Sequence, residues 1–245
     1  MSPCRPAILT YHSLDLSGSV ISISPQTFRA QMNFLVENRV PVVPLDSIAK
    51  ISTGVALTFD DGFRNFFEHA FPVLLEHRLP ATVFVVSDYC GSKNTWPSQP
   101  TNQIPMLELM DWAGLREIVR YGIELGAHTA THPRLTSLPE GQINEEMLRC
   151  RSEIEQQTGV RVRSLAYPYG NANATVRICA GKHFQIACGT VLRSIPTSCD
   201  PLHLPRIDAY YLRSRFWFES LMTMQGRVYL SARRALRAMR KKYLD

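Results

Sequence analysis

No apolar run in these 245 residues approaches the roughly 18 consecutive positions that a membrane-crossing helix needs. The first apolar stretch, Ala7 to Leu9, is interrupted by Thr10 and is too short for the core of a secretion signal, so a cytoplasmic protein is expected. Cysteine is scarce and scattered: Cys4, Cys90, Cys150, Cys179, Cys188 and Cys199 include no CxxC pair. A chain of this length needs no disulfide staples, and free thiols are the expectation. Low-complexity tracts and internal repeats are absent as well, which argues against linkers and solenoids.

Charge is unevenly spread. The net +6 is concentrated in GRVYLSARRALRAMRKKYLD, where Arg227, Arg233, Arg234, Arg237, Arg240, Lys241 and Lys242 crowd together. Val228, Ala232, Ala235, Leu236 and Met239 recur there at helical spacing, which predicts a basic amphipathic helix over 226–245 following a main domain at 1–225. Either it docks on the domain with a solvated basic face, or it meets an acidic surface such as anionic lipid or a pyrophosphate carrier. Nothing outside it resembles a base-reading motif, so a nucleic-acid partner is not expected.

Along the rest of the chain, short apolar runs alternate with helical patterns, the signature of repeated βα units and a mostly parallel sheet. Strands are expected at Ala7 to Tyr11, Val55 to Phe59, Ala81 to Val86, Ile123 to Ala127, Ser164 to Ala166, Phe184 to Cys188 and near Leu204 to Ile207. Ser24 before Pro25 opens one helix and Asp111 caps another, whereas Pro72 places the start of a third near Phe71. The unpatterned stretch from Asp88 to Pro105 is longer than an ordinary connection and is expected to wall a cleft.

Polar clusters fall at the C-terminal ends of these strands, where α/β sheets and barrels place their sites. TFDDG sets Asp60 and Asp61 side by side after a buried run. GAHTATHP follows another strand with His128 and His132 four apart, and Pro133 favours a loop that curls both imidazoles around one ion. Two histidines and a carboxylate leave coordination positions open, as a catalytic rather than a structural metal site requires.

TFDDG, HTATHP and AYPYG, at 58–62, 128–133 and 166–170, together resemble the polysaccharide deacetylases of the NodB-homology, carbohydrate esterase family 4 type. The resemblance implies a distorted (β/α)7-type barrel and metal-dependent hydrolysis of an acetamide on an N-acetylated amino sugar. It implies Asp60 as general base; Asp61, His128 and His132 as ligands of a divalent metal, zinc first, with Co2+, Ni2+ or Fe2+ as alternatives; and the backbone N–H of Tyr169, in a turn set by Pro168, as oxyanion donor.

There are departures. Ala166 stands where the family often carries an arginine, no Asp-Trp follows downstream, and no histidine follows His203 to act as late general acid. His12, at the end of AILTYH, is the candidate substitute, since first and last strands of a barrel can exchange places by permutation. The order YHS, FDDG, HTATHP, AYPYG, LPRI resembles the permuted branch of poly-N-acetylglucosamine deacetylases. Arg206 of LPRI stays open between a partner for Asp60 and a structural arginine. Of three tryptophans, Trp96 in the long loop is expected to approach a sugar. A silent carbohydrate-binding protein of the same fold is the competing reading.

Overall fold

Alternating apolar runs become strands because each strand is buried on both faces. The computed structural model describes residues 5–99 and 104–244, so Cys4 and Pro100 lie outside the described residues. The strands are β1 (Ala7–Tyr11), β2 (Ser13–Leu14), β3 (Ser22–Ile23), β4 (Val55–Phe59), β5 (Thr82–Val85), β6 (Glu124–Ala127), β7 (Ser164–Ala166), β8 (Ile186–Cys188) and β9 (Ile207–Asp208). The helices are α1 (Pro25–Glu37), α2 (Phe71–His77), α3 (Trp112–Arg120), α4 (Glu140–Thr158), α5 (Ala174–His183), α6 (Arg215–Glu219) and α7 (Met224–Leu244).

Seven strands form one sheet in the order β8-β7-β6-β5-β4-β1-β9, every pairing parallel, while β2 and β3 make a separate short ladder. The segment leading into β9 joins the two edges. Leu204 pairs with Cys188, donating to the Ala187 carbonyl and accepting from the Gly189 N–H, and three residues later Ile207 pairs with Leu9. A distorted (β/α)7-type barrel results, as expected.

Side-chain alternation sorts the apolar residues into two layers. Ile8, Ala56, Phe84, Ala166, Cys188 and Leu204 pack inside the ring, whereas Leu9, Leu57, Val83, Leu125 and Leu165 face helical residues such as Phe28, Met32, Ile118 and Met147. Each fully buried Leu or Phe contributes about 1.5–3 kcal/mol. Gly126 stands opposite Phe84 in the register, and a Cβ there would lie 2.4 Å from the phenyl ring. The interior ring therefore dictates the glycine of GAHTATHP.

Local signals operate as the sequence implies at most helix ends. Ser24 accepts from the Thr27 N–H before Pro25, Asp111 accepts from the Gly114 N–H, and Gly159 ends α4 at φ 74°. The α-helix after FDDG begins at Phe71, as Pro72 implies, and a π turn over Phe66–Ala70 runs straight into it. Pro72 has no N–H to donate and its ring crowds the preceding turn; widening that turn relieves both constraints.

The C-terminal helix is docked through part of its surface. Leu230 is buried, Tyr229 stacks on Trp217 at 4.0 Å, and its hydroxyl donates to the Tyr211 carbonyl. The five cysteines among the described residues are unpaired thiols.

Candidate metal centre

β4 ends with the Asp60 N–H donating to the Tyr11 carbonyl, after which Asp61 takes φ 69° and Gly62 φ 75°. Aspartate is among the few non-glycine residues that tolerate this left-handed turn. The reversal separates two adjacent carboxylates that would otherwise repel.

Asp60 meets Arg206. The guanidinium reaches it with both terminal nitrogens, at 2.6 and 2.7 Å, and donates through Nε to the Gly189 carbonyl. Arg206 and Asp60 are almost completely buried, at 2 and 3% exposure. Burial pushes the carboxyl up, but the charge and hydrogen bonds of Arg206 outweigh it and hold Asp60 well below the usual carboxylate range. Of the two readings open for Arg206, the geometry shows the pairing. Arg206, immediately before β9, thus sets a cation beside Asp60, where Ala166 of β7 carries none. His12, at the end of β1, places Nε2 3.7 Å from Asp60 Oδ2 and remains partly open to solvent.

Asp61 meets the histidines. Its Oδ1 is buried without a hydrogen-bond partner and lies 3.4 Å from His128 Nε2 and 3.5 Å from His132 Nε2. Around a tetrahedral ion with ligands at about 2.0–2.1 Å, neighbouring ligand atoms stand about 3.3–3.4 Å apart. These atoms, all within 4.8 Å of one another, fit a zinc-type cation, and a buried carboxylate oxygen with no donor has a use for one. His128 Nδ1 lies 2.7 Å from the Ala166 carbonyl; donation there leaves Nε2 as the free lone pair, the orientation a metal ligand requires.

Electrostatics separates the two rings. Burial, joined by the nearby His128, pushes His132 down to about 3, so its ring is neutral across the physiological range. Burial opposes protonation of His128 also, but contact with Asp61 and the charges of both aspartates outweigh it and raise its pKa.

The loop carrying the histidines is bent and clamped. Thr129 and His132 hold φ values of 67° and 57°, and the His132 N–H donates to Thr129 Oγ1. From α4, Glu146 accepts from the Thr131 N–H and from its hydroxyl, while the Glu146 carbonyl accepts from Ala130. Tyr169, at φ 59°, sits in the turn following Pro168 with its ring edge-on to His132. Gly170 is required there: a Cβ would lie 2.1 Å from Thr190 Oγ1.

Trp96 lines the same cleft but is 4% exposed and lies over His132 at 4.4 Å between centroids, so much of its surface packs against that imidazole. The cause lies in the long loop, which folds inward: Ser98 donates to the His132 carbonyl at 2.6 Å, and Asn94 ties Leu107 and Pro105 together. His77 and His183 bond Asn33 and Asn144 away from the site.

His12, both aspartates, both histidines and Tyr169 line one cleft of about 110 Å3. A larger cleft of about 790 Å3 opens beside Lys93, Glu108 and Gly114 but holds no comparable ligand set. Chemistry, not size, marks the smaller one.

Asp208 is a residue that sequence reasoning missed. It sits on β9 with its charge attracting His12, while burial raises its pKa. The signal sought was an aspartate followed by tryptophan; here alanine follows, and only the β1–β9 pairing brings Asp208 to His12.

A family model described as polysaccharide deacetylase matches residues 49–183, more than half of the sequence. The chain belongs to the polysaccharide deacetylase family. Among relatives, the Bacillus subtilis protein YxkH is 25% identical over 179 residues, 70% of this chain and 59% of that protein. The poly-beta-1,6-N-acetyl-D-glucosamine N-deacetylase of Staphylococcus epidermidis is 24% identical over 210 residues, 80% of this chain and 72% of that protein. This member of the family thus spans less than two thirds of YxkH. Its fold matches IcaB from Ammonifex degensii with a TM-score of 0.72 at 24% identity, covering 88% of this chain and 97% of IcaB.

Proposed function

We propose that this polysaccharide deacetylase family member hydrolyses the acetamide of an N-acetylated amino sugar, with a divalent cation, zinc first, held by Asp61, His128 and His132. One observation carries the reading: the two adjacent carboxylates are partitioned, Asp61 Oδ1 standing unpartnered between two imidazole nitrogens and Asp60 locked to Arg206. The family match and a relative whose name specifies poly-beta-1,6-N-acetyl-D-glucosamine support the substrate class.

Held by Asp61, His128 and His132, the cation would supply Lewis acidity toward a water molecule and the acetamide carbonyl. Asp60, kept ionised by Arg206, would stand beside them as the proton-accepting base. His12, close beside Asp60 and partly open to solvent, donates a proton to the departing amine. The Tyr169 N–H stabilises the oxyanion from its constrained turn. At about 110 Å3, against roughly 300–1,000 Å3 for a full ligand pocket, the cleft takes the acetamide end of a sugar while the rest of the glycan lies outside.

The test is acetate release from β-1,6- and β-1,4-linked N-acetylglucosamine oligomers by metal-stripped protein, by the same protein reloaded with zinc, and by Asp60→Asn. Release restored by zinc and abolished in Asp60→Asn is expected. Equal release by stripped and reloaded protein would refute the proposal.

A further inference from the structure

The C-terminal helix α7 carries two distinct faces. At 3.6 residues per turn, Tyr229, Leu230, Arg233 and Arg237 share one sector. That sector is occupied: besides the Tyr229 and Leu230 contacts, the Arg233 guanidinium lies 5.0 Å from the Tyr211 ring and Arg237 donates to the Thr190 carbonyl at 3.3 Å. Met224, Val228, Ala232, Ala235, Leu236 and Met239 share a neighbouring sector about 120° wide, into which only Gln225 near the start and Lys242 near the end bring polar groups among residues 224–242. Its large side chains face solvent, with Met224 and Val228 63% exposed, Leu236 47% and Met239 51%. An apolar stripe of this kind on a protein surface marks an interaction site.

The stripe is set in positive charge. Arg227 and the exposed Arg234 lie along one side of it, and the 21 residues of α7 include seven basic residues and no acidic one. Among the described residues, no helix is long and apolar enough to cross a membrane. A helix with an apolar stripe, a basic flank and low overall hydrophobicity lies in a lipid–water interface without spanning it.

We propose that this face of α7 docks on an anionic bilayer surface, with Val228, Leu236 and Met239 at the acyl boundary and the flanking arginines on headgroup phosphates. Charge complementarity selects this occupant. A second copy of the same helix would bring like charges together across a narrow apolar seam, and a nucleic acid would leave the stripe without a partner. The inference stands apart from the catalytic reading, because it is read by binding alone.

The test is co-sedimentation of the full chain with vesicles of phosphatidylcholine and of phosphatidylcholine containing about 30% phosphatidylglycerol, at low and high salt. Binding to the anionic vesicles, weakened by salt, is expected. Partitioning should drop at least tenfold in Val228→Ser/Leu236→Ser and in Arg234→Glu, with melting temperatures unchanged because these side chains are exposed. The proposal fails if wild type ignores anionic vesicles, if neutral vesicles bind equally, or if neither variant matters. Self-association abolished by Val228→Ser/Leu236→Ser would give the stripe to a second copy and overturn it as well.

Discussion

Replacing Arg206 with methionine removes one half of a buried ion pair and strands the other. Asp60 keeps its place at the end of β4 with a side chain 4% exposed, its two guanidinium hydrogen bonds gone, and Gly189 loses the donor at 3.0 Å. Breaking such a pair from one side costs about 3–5 kcal/mol. Against a typical total of about 5–15 kcal/mol, that is a large share of the stability.

Urea unfolding of metal-free protein reads it directly. With a slope of about 2–3 kcal/mol/M, the midpoint should fall by about 1–2.5 M. Asp60→Leu should cost a comparable amount, since it strands the arginine, and Asp60→Leu/Arg206→Met should cost less than the sum by at least about 2 kcal/mol.

The pH dependence carries the sign. In the native protein, burial raises the Asp60 carboxyl, and Arg206, joined by the charges of His128 and His12, more than reverses it, leaving the folded pKa below the unfolded value. That contribution is complete above the unfolded carboxylate pKa and is lost as pH falls through the folded one. In Arg206→Met only the nearby His128 and His12 still oppose burial, the folded pKa moves up, and the stranded carboxylate takes a proton more readily as pH falls. The stability gap between the two proteins should therefore narrow from pH 7 toward pH 4. A loss below about 1 kcal/mol, or a gap indifferent to pH, would refute the reasoning, since the pair would then behave as a solvated one.

Glu146→Gln loses the charge behind the clamp on Thr131, and zinc affinity, read by competition with a chromophoric chelator, should fall about 10–100-fold. Unchanged affinity would show that the loop holds its shape without α4. Gly170→Ala would force a Cβ to within 2.1 Å of Thr190 at φ 69°. A thermal melt should show about 1–3 kcal/mol of lost stability, and a neutral result would mean that the turn relaxes.

Much of the architecture was legible because it rests on local chemistry. Ser24-Pro25 and Asp111 name their helices through hydrogen bonds made within three residues, and the apolar runs that became β1, β4 and β7 match their observed limits. Three features were legible only in part, each for a different reason. Arg206 and Asp60 are 146 positions apart, and a sequence that suggests the pairing offers no measure of the approach. Trp96 was assigned to the cleft by chemical aptitude and lines it, but its packing on His132 depends on how Ser98 and Asn94 fold the loop inward. Pro72 marks the start of the regular α-helix, and the π turn before it lies outside that rule.

Four of the six non-glycine residues with left-handed backbone among the described residues are Asp61, Thr129, His132 and Tyr169. Each conformation costs about 1–3 kcal/mol on its own and persists only because its surroundings impose it. The ordering work is thus completed as the chain folds, before any guest arrives. On the proposed function, an ion or acetyl group would meet walls already in their final shape, and the speed of its capture would be governed by diffusion and by the shedding of its own hydration water, with no rearrangement of the host to wait for.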